Sequence, residues 1–227
     1  MKSSSRRSLT YRLLYPWLNT FLIALAHILA PRFSVSGTRN VPRRGGVLLC
    51  PNHLSDCDPP FLFPSCPRAL WFMAKAEIFE ISYPIIGKLG PKMTFLGAFA
   101  VDPGEPDRES LRRAQELLQS GETLVVFPEG EVSQGGEMNE VLPGAVLLAQ
   151  RSGVPIVPVG IWGTQHVIPY GQIIPRPTFQ RVHVHFGAPI SFDDLKTLPK
   201  REAREKARER LEAAIKEARE IARNGGS

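Results

Sequence analysis

The sequence predicts a single α/β domain with a largely parallel, mixed sheet flanked by helices. From Phe33 onward, short apolar runs typical of buried strands alternate with longer segments of helical periodicity. The 227 residues suffice for one sizeable core, and no internal repeat or low-complexity linker divides them. We therefore predict two parts, a basic, amphipathic, membrane-associating segment over residues 1–32 and a globular domain over residues 33–227.

The first predicted element is an amphipathic helix over residues 9–30. Four polar residues share one narrow stripe of the helical wheel: Arg12, Asn19, Thr20 and His27. Large apolar residues recur every four positions on the remainder: Leu9, Leu13, Trp17, Phe21, Leu25 and Leu29. This pattern gives the helix a wide apolar face.

The charge around this helix favours an anionic partner. The net charge of the chain is +6, and no acidic residue precedes Asp56. A basic arm of this kind suits lipid headgroups, nucleic acid or an acidic protein. Nucleic acid is the weaker interpretation, because the residues interleaved in the arm are aliphatic and no nucleic-acid-binding module is present.

A helix lying on the membrane fits this segment better than a membrane span. Crossing a bilayer requires about 20 mostly apolar residues, and polar side chains interrupt this stretch. Both flanks are basic, so the positive-inside rule gives no direction for a crossing. We expect a peripheral or monotopic helix at the cytoplasmic face of the cell membrane. A signal peptide ending near Ala26 is the alternative, but it would draw the basic segment 32–44 across the membrane.

The remaining elements are predicted from short apolar runs and helical periodicity. Strands are predicted over residues 47–50, 70–74, 93–101, 124–127, 156–161 and 182–186. Helices are predicted over 107–119 and over 142–151, the latter closed by Gly153. A last, highly charged helix over 199–223 has a thin apolar stripe. We expect it to be solvated and lightly packed, with partner binding as an alternative.

A polar cluster, Asn52 to Asp58, lies at a predicted strand-to-helix turn, where α/β proteins place their chemistry. A carboxylate beside a histidine fixes its tautomer and stabilises its charged form. His53 and Asp58 meet if the histidine lies on the turn and the aspartate just inside the helix. The alternative is a hydrogen-bonded turn histidine and an aspartate that caps the helix.

Three cysteines are too few for a disulfide framework. With His53 they form the pattern C-x2-H-x3-C-x8-C, which leaves a zinc site open as an alternative: Cys50, Cys57 and Cys66. Cys50 ends an apparent buried strand, and the spacing lacks the paired knuckles of zinc modules. We predict no metal and no cofactor.

Three motifs occur in order along the chain. Asn52, His53, Ser55 and Asp58 form N-H-x-S-x-x-D, residues 127–130 read F-P-E-G, and residues 154–159 form an apolar strand with paired prolines. In these motifs the chain resembles the glycerolipid acyltransferase superfamily, which includes 1-acyl-glycerol-3-phosphate acyltransferase. The resemblance covers most of the chain.

The resemblance implies an acyltransferase domain over 33–227 that acts in phospholipid biosynthesis. The acyl donor would be a thioester of acyl-CoA or of acyl-carrier protein. The acceptor would be the hydroxyl of a lysophospholipid, with 1-acyl-glycerol-3-phosphate favoured. A different lipid alcohol or a lysophospholipid diester is an alternative acceptor. A non-catalytic membrane- or lipid-binding protein is the alternative of another class.

The resemblance also implies roles for the motif residues. His53 would be the general base and Asp58 would orient it and stabilise its imidazolium. No protein nucleophile is needed, because the acceptor alcohol can attack the thioester directly; Ser55 as an acyl-carrying nucleophile is an open alternative. The predicted substrate-binding residues are Glu129, Gly130, Asn52, Ser55 and Lys75. Within this set, Asn52 and Ser55 are expected to hold the turn through bonds to the backbone, and a purely structural turn with an ion-paired Glu129 remains the alternative for F-P-E-G.

The sequence departs from the family pattern at two positions that concern phosphate. Val132 stands where the family continues F-P-E-G with an arginine, and Asp102-Pro103 follows the apolar strand where another arginine is usual. Arginine is the preferred bidentate partner of phosphate, so a free phosphate headgroup is expected to fit less well. Four basic residues are candidates to replace the lost arginines: Lys75, Lys92, Arg108 and Arg176.

Overall fold

A computed structural model of the chain describes residues 9–80, 82–83, 87–88, 90–95, 97–101, 108–134 and 137–226. Nine strands occur in these residues: β1 (Phe33–Ser36), β2 (Val47–Pro51), β3 (Leu70–Lys75), β4 (Ser82–Tyr83), β5 (Gly87–Lys88), β6 (Ala98–Val101), β7 (Thr123–Val125), β8 (Ile156–Trp162) and β9 (Val182–Phe186). The helices in the same residues are α1 (Leu9–Leu29), α2 (Asp58–Ser65), α3 (Ala76–Glu80), α4 (Gly90–Phe95), α5 (Arg108–Gln119), α6 (Gly144–Ser152) and α7 (Lys200–Asn224).

Seven strands form the main sheet, in the order β1-β9-β8-β2-β7-β3-β6, and β4 pairs with β5 apart from it. Every pairing in the main sheet is parallel except that of β8 with β9. Parallel neighbours require crossover connections, which the intervening helices provide. The predicted α/β class with a largely parallel, mixed sheet is confirmed.

Helices cover both faces of the sheet. Leu48 and Cys50 of β2 belong to the hydrophobic cluster that α5, α6 and α7 share, whereas Val47 and Leu49 belong to the cluster of α1 and α2. Because successive strand residues point to opposite faces, the two clusters lie on opposite sides of β2. β2 is therefore buried on both faces, as its continuous apolar sequence requires.

The prediction that the last helix is solvated and lightly packed is wrong. Its apolar stripe is fully buried: Ala207, Leu211, Ile215, Ala218 and Ala222 are each 0% exposed. A Cβ atom added at Gly160 of β8 would lie 2.0 Å from the carbonyl oxygen of Ala218. Small residues on both surfaces let the helix backbone approach β8 closely, so a thin stripe is enough to bury it.

The predicted strand over 93–101 is wrong in its first half. Residues up to Phe95 belong to α4, and Gly97 turns the chain with a φ of 95° before β6 begins at Ala98. Positive φ is accessible to glycine at little cost, so Gly97 separates helix from strand within one apolar run. The sequence patterns also gave no sign of β1, α3, α4, β4 or β5.

The other boundaries agree closely with prediction. The helix predicted over 107–119 is seen from Arg108, while residue 107 lies outside the described residues. The helix predicted over 142–151 runs from Gly144 to Ser152, and Gly153 closes it with a φ of 66°. In the part of the chain that is described, no helix is both long and apolar enough to cross a membrane.

Candidate active site

The site begins where β2 ends. The amide of Asn52 donates to the carbonyl of Val159 at 3.3 Å and continues the pairing with β8. The Asn52 side chain then takes over, since its Oδ1 accepts from the amide of Ile161 at 2.7 Å and its Nδ2 donates to the carbonyl of Ile161 at 3.1 Å. Asn52 thus uses its amide group to hold the strand end and to direct the next residue out of the sheet.

That next residue is His53, and it meets Asp58. Nδ1 of His53 lies 2.8 Å from Oδ2 of Asp58, the histidine side chain is 15% exposed, and the aspartate side chain is 0% exposed. A carboxylate only accepts, so Nδ1 carries the proton and Nε2 is left to accept one. The ring of Phe127 stacks on the imidazole with 4.1 Å between ring centroids. The pair therefore has the arrangement of a base with its orienting carboxylate.

Asp58 is the first residue of α2 and not its N-cap, which is Cys57. Its Oδ2 also accepts from the amides of Leu54 at 2.7 Å and Ser55 at 3.0 Å. Its Oδ1 accepts from the hydroxyl of Thr164 at 2.5 Å. Four donors thus satisfy the two oxygens of this fully buried carboxylate.

Glu129 follows β7 and lies beside the turn of His53. Because β2 and β7 are parallel neighbours, the two motifs that follow these strands lie at one edge of the sheet. Oε1 of Glu129 accepts from the amide of His53 at 2.7 Å, and Oε2 accepts from the amide of Asn139 at 2.6 Å. Burial raises the pKa of Glu129, and the two amide bonds oppose that shift. Both carboxylate oxygens accept from backbone amides, so Glu129 links the backbone at His53 to the backbone at Asn139.

Ser133 completes this support. Its amide and its hydroxyl both donate to the carbonyl oxygen of His53, each at 2.8 Å. The intervening Gly130 has a φ of 76°, which lets the chain return toward His53 after the strand. The residues around F-P-E-G therefore hold the His53 backbone on both its amide and its carbonyl side.

A cleft of about 230 Å³ opens next to the turn. Its wall contains Ser55, Asp56, Lys75, Glu131, Val132 and residues 168–171. The buried hydroxyl of Ser55 donates to the carbonyl of Ile168 at 2.6 Å and accepts from the amide of Cys57 at 3.1 Å, which joins one wall of the cleft to the turn. The charged residues of this wall are Asp56, Lys75 and Glu131.

The four candidate phosphate-binding residues are dispersed. Of these, Lys75 lines the cleft, whereas Arg108 lines a separate groove between α5 and α6. Arg176 is exposed on the loop that follows the cleft. The side chain of Lys92 and the segment 102–107, with Asp102 and Pro103, lie outside the described residues.

The cysteines do not converge. Cys50, Cys57 and Cys66 are free and buried, and each belongs to a different hydrophobic cluster. Burial raises the pKa of the Cys57 and Cys66 thiols to about 12. Among the described residues, no group of three or more His, Cys, Asp or Glu side chains is arranged to hold a metal ion.

Three residues of the site were not found from the sequence: Ser133, Asn139 and Thr164. Thr164 is separated from Asp58 by 106 positions, and it lies in a short 3₁₀ helix just beyond the end of β8. A signal was available, because polar residues after a predicted strand collect at one edge of a parallel sheet. The Gly163-Thr164 pair after the strand 156–161 fits that rule.

Residues 32–162, which are more than half of the chain, match the protein family described as Acyltransferase. A chloroplastic 1-acyl-sn-glycerol-3-phosphate acyltransferase of Arabidopsis thaliana is 31% identical over 141 residues, which are 62% of this chain and 38% of that protein. A 1-acyl-sn-glycerol-3-phosphate acyltransferase of Borreliella burgdorferi is 25% identical over 160 residues, 66% of this chain and 59% of that protein.

Among solved structures, the 1-acyl-sn-glycerophosphate acyltransferase PlsC from Thermotoga maritima superposes with a TM-score of 0.67 at 25% identity. That match covers 96% of this chain and 84% of the Thermotoga chain. The matched family region, residues 32–162, contains the His53–Asp58 pair and Glu129. The chain belongs to the Acyltransferase family.

Proposed function

We propose that the chain transfers a fatty acyl group from a thioester to the hydroxyl of a lysophospholipid. The observation that carries this proposal is the 2.8 Å bond between His53 and the fully buried Asp58, in the same turn as Ser55 and Asp56, which line a cleft. Family membership supports it, as does the activity for which the relatives are named. The matched part of the chain spans only about two fifths of the Arabidopsis protein, so acyl transfer by this chain is proposed and is not taken over from that relative.

The chemistry follows from the geometry of the pair. Nε2 of His53 takes the proton of the acceptor hydroxyl as the oxygen attacks the thioester carbonyl carbon. The carbon–sulfur bond of the tetrahedral intermediate then breaks, and the leaving thiolate takes the proton back from the imidazolium. Asp58 stabilises that imidazolium while it exists. No protein nucleophile is required, and the Ser55 hydroxyl is already bonded to the carbonyl of Ile168.

A direct assay separates this proposal from a non-catalytic lipid-binding protein. The full chain is incubated with a lysophospholipid and with either acyl-CoA or acyl-carrier protein thioesters, and the acylated lipid is quantified. We expect product with at least one of the two donors. Tight lipid binding with no product from either donor would favour the binding protein.

The acceptor is the finer part of the proposal. Among the described residues that line the cleft, Lys75 is the single cation, and Val132 stands where the family pattern carries an arginine. One charge-assisted bond is worth about 1.5–3 kcal/mol, which corresponds to about a ten- to hundredfold preference. We therefore expect lysophospholipid diesters or neutral lipid alcohols to compete well with 1-acyl-glycerol-3-phosphate in an acceptor panel.

Lys75→Ala tests whether the ammonium group of Lys75 binds the phosphate of the acceptor. If it does, the variant raises the KM for 1-acyl-glycerol-3-phosphate by about tenfold and leaves the KM for a neutral acceptor near wild type. Lys200→Ala, an exposed lysine at the start of α7, is the matched control. An equal rise for all acceptors would show that Lys75 does not contact phosphate.

We propose further that α1 attaches the protein to the cytoplasmic face of the membrane as a peripheral or monotopic helix. One side of α1 packs on the domain, with Tyr11 and Tyr15 against aromatic rings at Phe95 and Phe63. The opposite side presents a continuous apolar arc to the exterior: Leu13, Leu14, Trp17, Phe21, Ala24 and Ile28.

Two exposed polar side chains of α1, those of Thr20 and His27, form hydrogen bonds within the helix. The Thr20 hydroxyl donates to the carbonyl of Pro16 and the His27 ring to that of Ile23, each at 2.9 Å. An exposed helix with an apolar arc and internally bonded polar groups suits the interface of a bilayer.

Replacing Trp17 and Phe21 together by glutamine is expected to release much of the protein from membranes to the soluble fraction. The substitutions remove two large apolar side chains from the exposed arc and leave the packed side of α1 intact. Thr20→Ser, which keeps the internal hydrogen bond, is the control, and the readout is flotation with vesicles. Protease access to the two basic flanks from opposite sides of sealed vesicles would instead show a true span.

A further inference from the structure

The loop of residues 169–181, between the 3₁₀ helix after β8 and the start of β9, presents three large apolar side chains to the exterior. Ile173 is 66% exposed, Ile174 is 75% exposed and Phe179 is 82% exposed. Soluble proteins expose single apolar residues routinely, but three within seven positions form a patch that calls for an explanation. The patch lies outside the active site and is not used by the proposed chemistry.

Two backbone hydrogen bonds hold the second half of the loop in place. The amide of Arg176 donates to the carbonyl of Val167 at 3.0 Å, and the amide of Thr178 donates to the carbonyl of Leu29 at 2.8 Å. Val167 is fully buried in a cluster with Ala26 and Ala30 at the end of α1. Phe179 therefore emerges next to the exposed end of α1, where Ile28 is 67% exposed.

The charged side chains of the loop itself have one sign. No acidic residue occurs between Glu140 and Asp193, and the loop carries Arg176 and Arg181, both exposed. Apolar side chains flanked by arginines are complementary to a bilayer that contains anionic lipid. Binding to a protein partner would not require the absence of acidic side chains. The charge of the loop therefore favours an anionic lipid surface as the partner.

We propose that the 169–181 loop is a second membrane-docking element, which inserts Ile173, Ile174 and Phe179 into an anionic lipid surface beside α1. The loop also reaches the active site, since its first residues form the wall of the cleft together with Lys75 and Val132. Insertion therefore orients the mouth of the cleft toward the lipid, and an acceptor reaches His53 without leaving the bilayer.

The test uses the full chain and vesicles of phosphatidylcholine with or without phosphatidylglycerol. The triple variant I173S/I174S/F179S is expected to bind the anionic vesicles at least tenfold more weakly, because three apolar side chains that would be buried in the lipid are removed. Arg176→Gln is expected to weaken binding to anionic vesicles roughly fivefold and to leave binding to neutral vesicles unchanged. Gln172→Ser, on the same loop, is the matched control and should bind as wild type.

A second measurement reports insertion directly and is independent of how well the triple variant folds. Ile174→Cys is labelled with an environment-sensitive fluorophore; the buried native thiols, with pKa values raised by burial, react poorly. We expect a blue shift and quenching by lipid-borne quenchers on anionic vesicles. Glu209→Cys, on the exposed side of α7 across the sheet, should show neither. An Ile174 label that stays in water on bound protein would overturn the proposal.

Two further outcomes discriminate between partners and functions. If the chain self-associates without lipid, and the triple variant abolishes that association while vesicle binding stays at wild type, the loop is covered by a second copy and the proposal is wrong. Vesicle binding does not depend on acyl transfer, so failure of the catalytic proposal leaves this test intact. If both proposals hold, the triple variant lowers the ratio of activity on bilayer acceptor to activity on a monomeric, short-chain acceptor.

Discussion

Replacing His53 with alanine is expected to lower kcat/KM for acyl transfer by about 10²–10⁴-fold, because the acceptor hydroxyl loses its base. The fold should survive the change. The backbone of His53 keeps its bonds to Glu129 and Ser133, which do not involve the imidazole. Asp58 also keeps the amides of Leu54 and Ser55 and the hydroxyl of Thr164 as donors.

Steady-state kinetics and thermal unfolding of the same preparation check this prediction. His166→Ala, which removes an exposed histidine next to the site, is the control and should stay within about twofold of wild type. Near wild-type turnover by a folded His53→Ala protein would contradict the mechanism. A loss of turnover that accompanies a large fall in Tm would leave His53 a structural residue instead.

Asp58→Asn is expected to reduce kcat by about 10²–10⁴-fold while the fold remains intact. The amide oxygen can replace Oδ2 and accept from His53, Leu54 and Ser55, and the amide nitrogen can replace Oδ1 and donate to the Thr164 hydroxyl. The hydrogen bonds survive, but the negative charge that stabilises the imidazolium is lost. The variant thus removes the negative charge and keeps the hydrogen bonds that hold the turn.

Asp58→Ala should behave differently, with loss of activity and of stability together. It leaves two buried amides and the Thr164 hydroxyl without their acceptor, each at a cost of about 1–3 kcal/mol. All four donors to Asp58 lose their acceptor in this variant, so the change affects the scaffold of the turn as well as the charge. Asp193→Asn, at an exposed aspartate, controls for the loss of a charge. Equal melting temperatures for the Asn and Ala variants would show that the carboxylate has no structural role.

Local sequence determined the class of the fold and the ingredients of the site. Apolar runs bounded by glycine and proline located β2, β3, β7, β8 and β9, and prolines marked the start of α2. The spacing of His53 and Asp58 allowed them to meet if the histidine lay on the turn and the aspartate just inside the helix, and the structure has that arrangement. Patterns of this kind act over a few positions, which is the range in which backbone preference and hydrophobic periodicity operate.

The tertiary structure decided what surrounds those residues. The order β8-β2-β7 brings Thr164 to Asp58 and Glu129 to His53, contacts that span 106 and 76 positions and depend on which strands become neighbours. It also decided that α7 is buried, because glycine and alanine let its backbone approach β8, and that Phe95 lies in a helix, because Gly97 turns the chain. The 169–181 loop lies beside α1 only because the amide of Thr178 meets the carbonyl of Leu29 across 149 positions of chain. The sequence thus determined which chemical groups are present and roughly where each element begins, and strand order with close packing determined which of those groups touch.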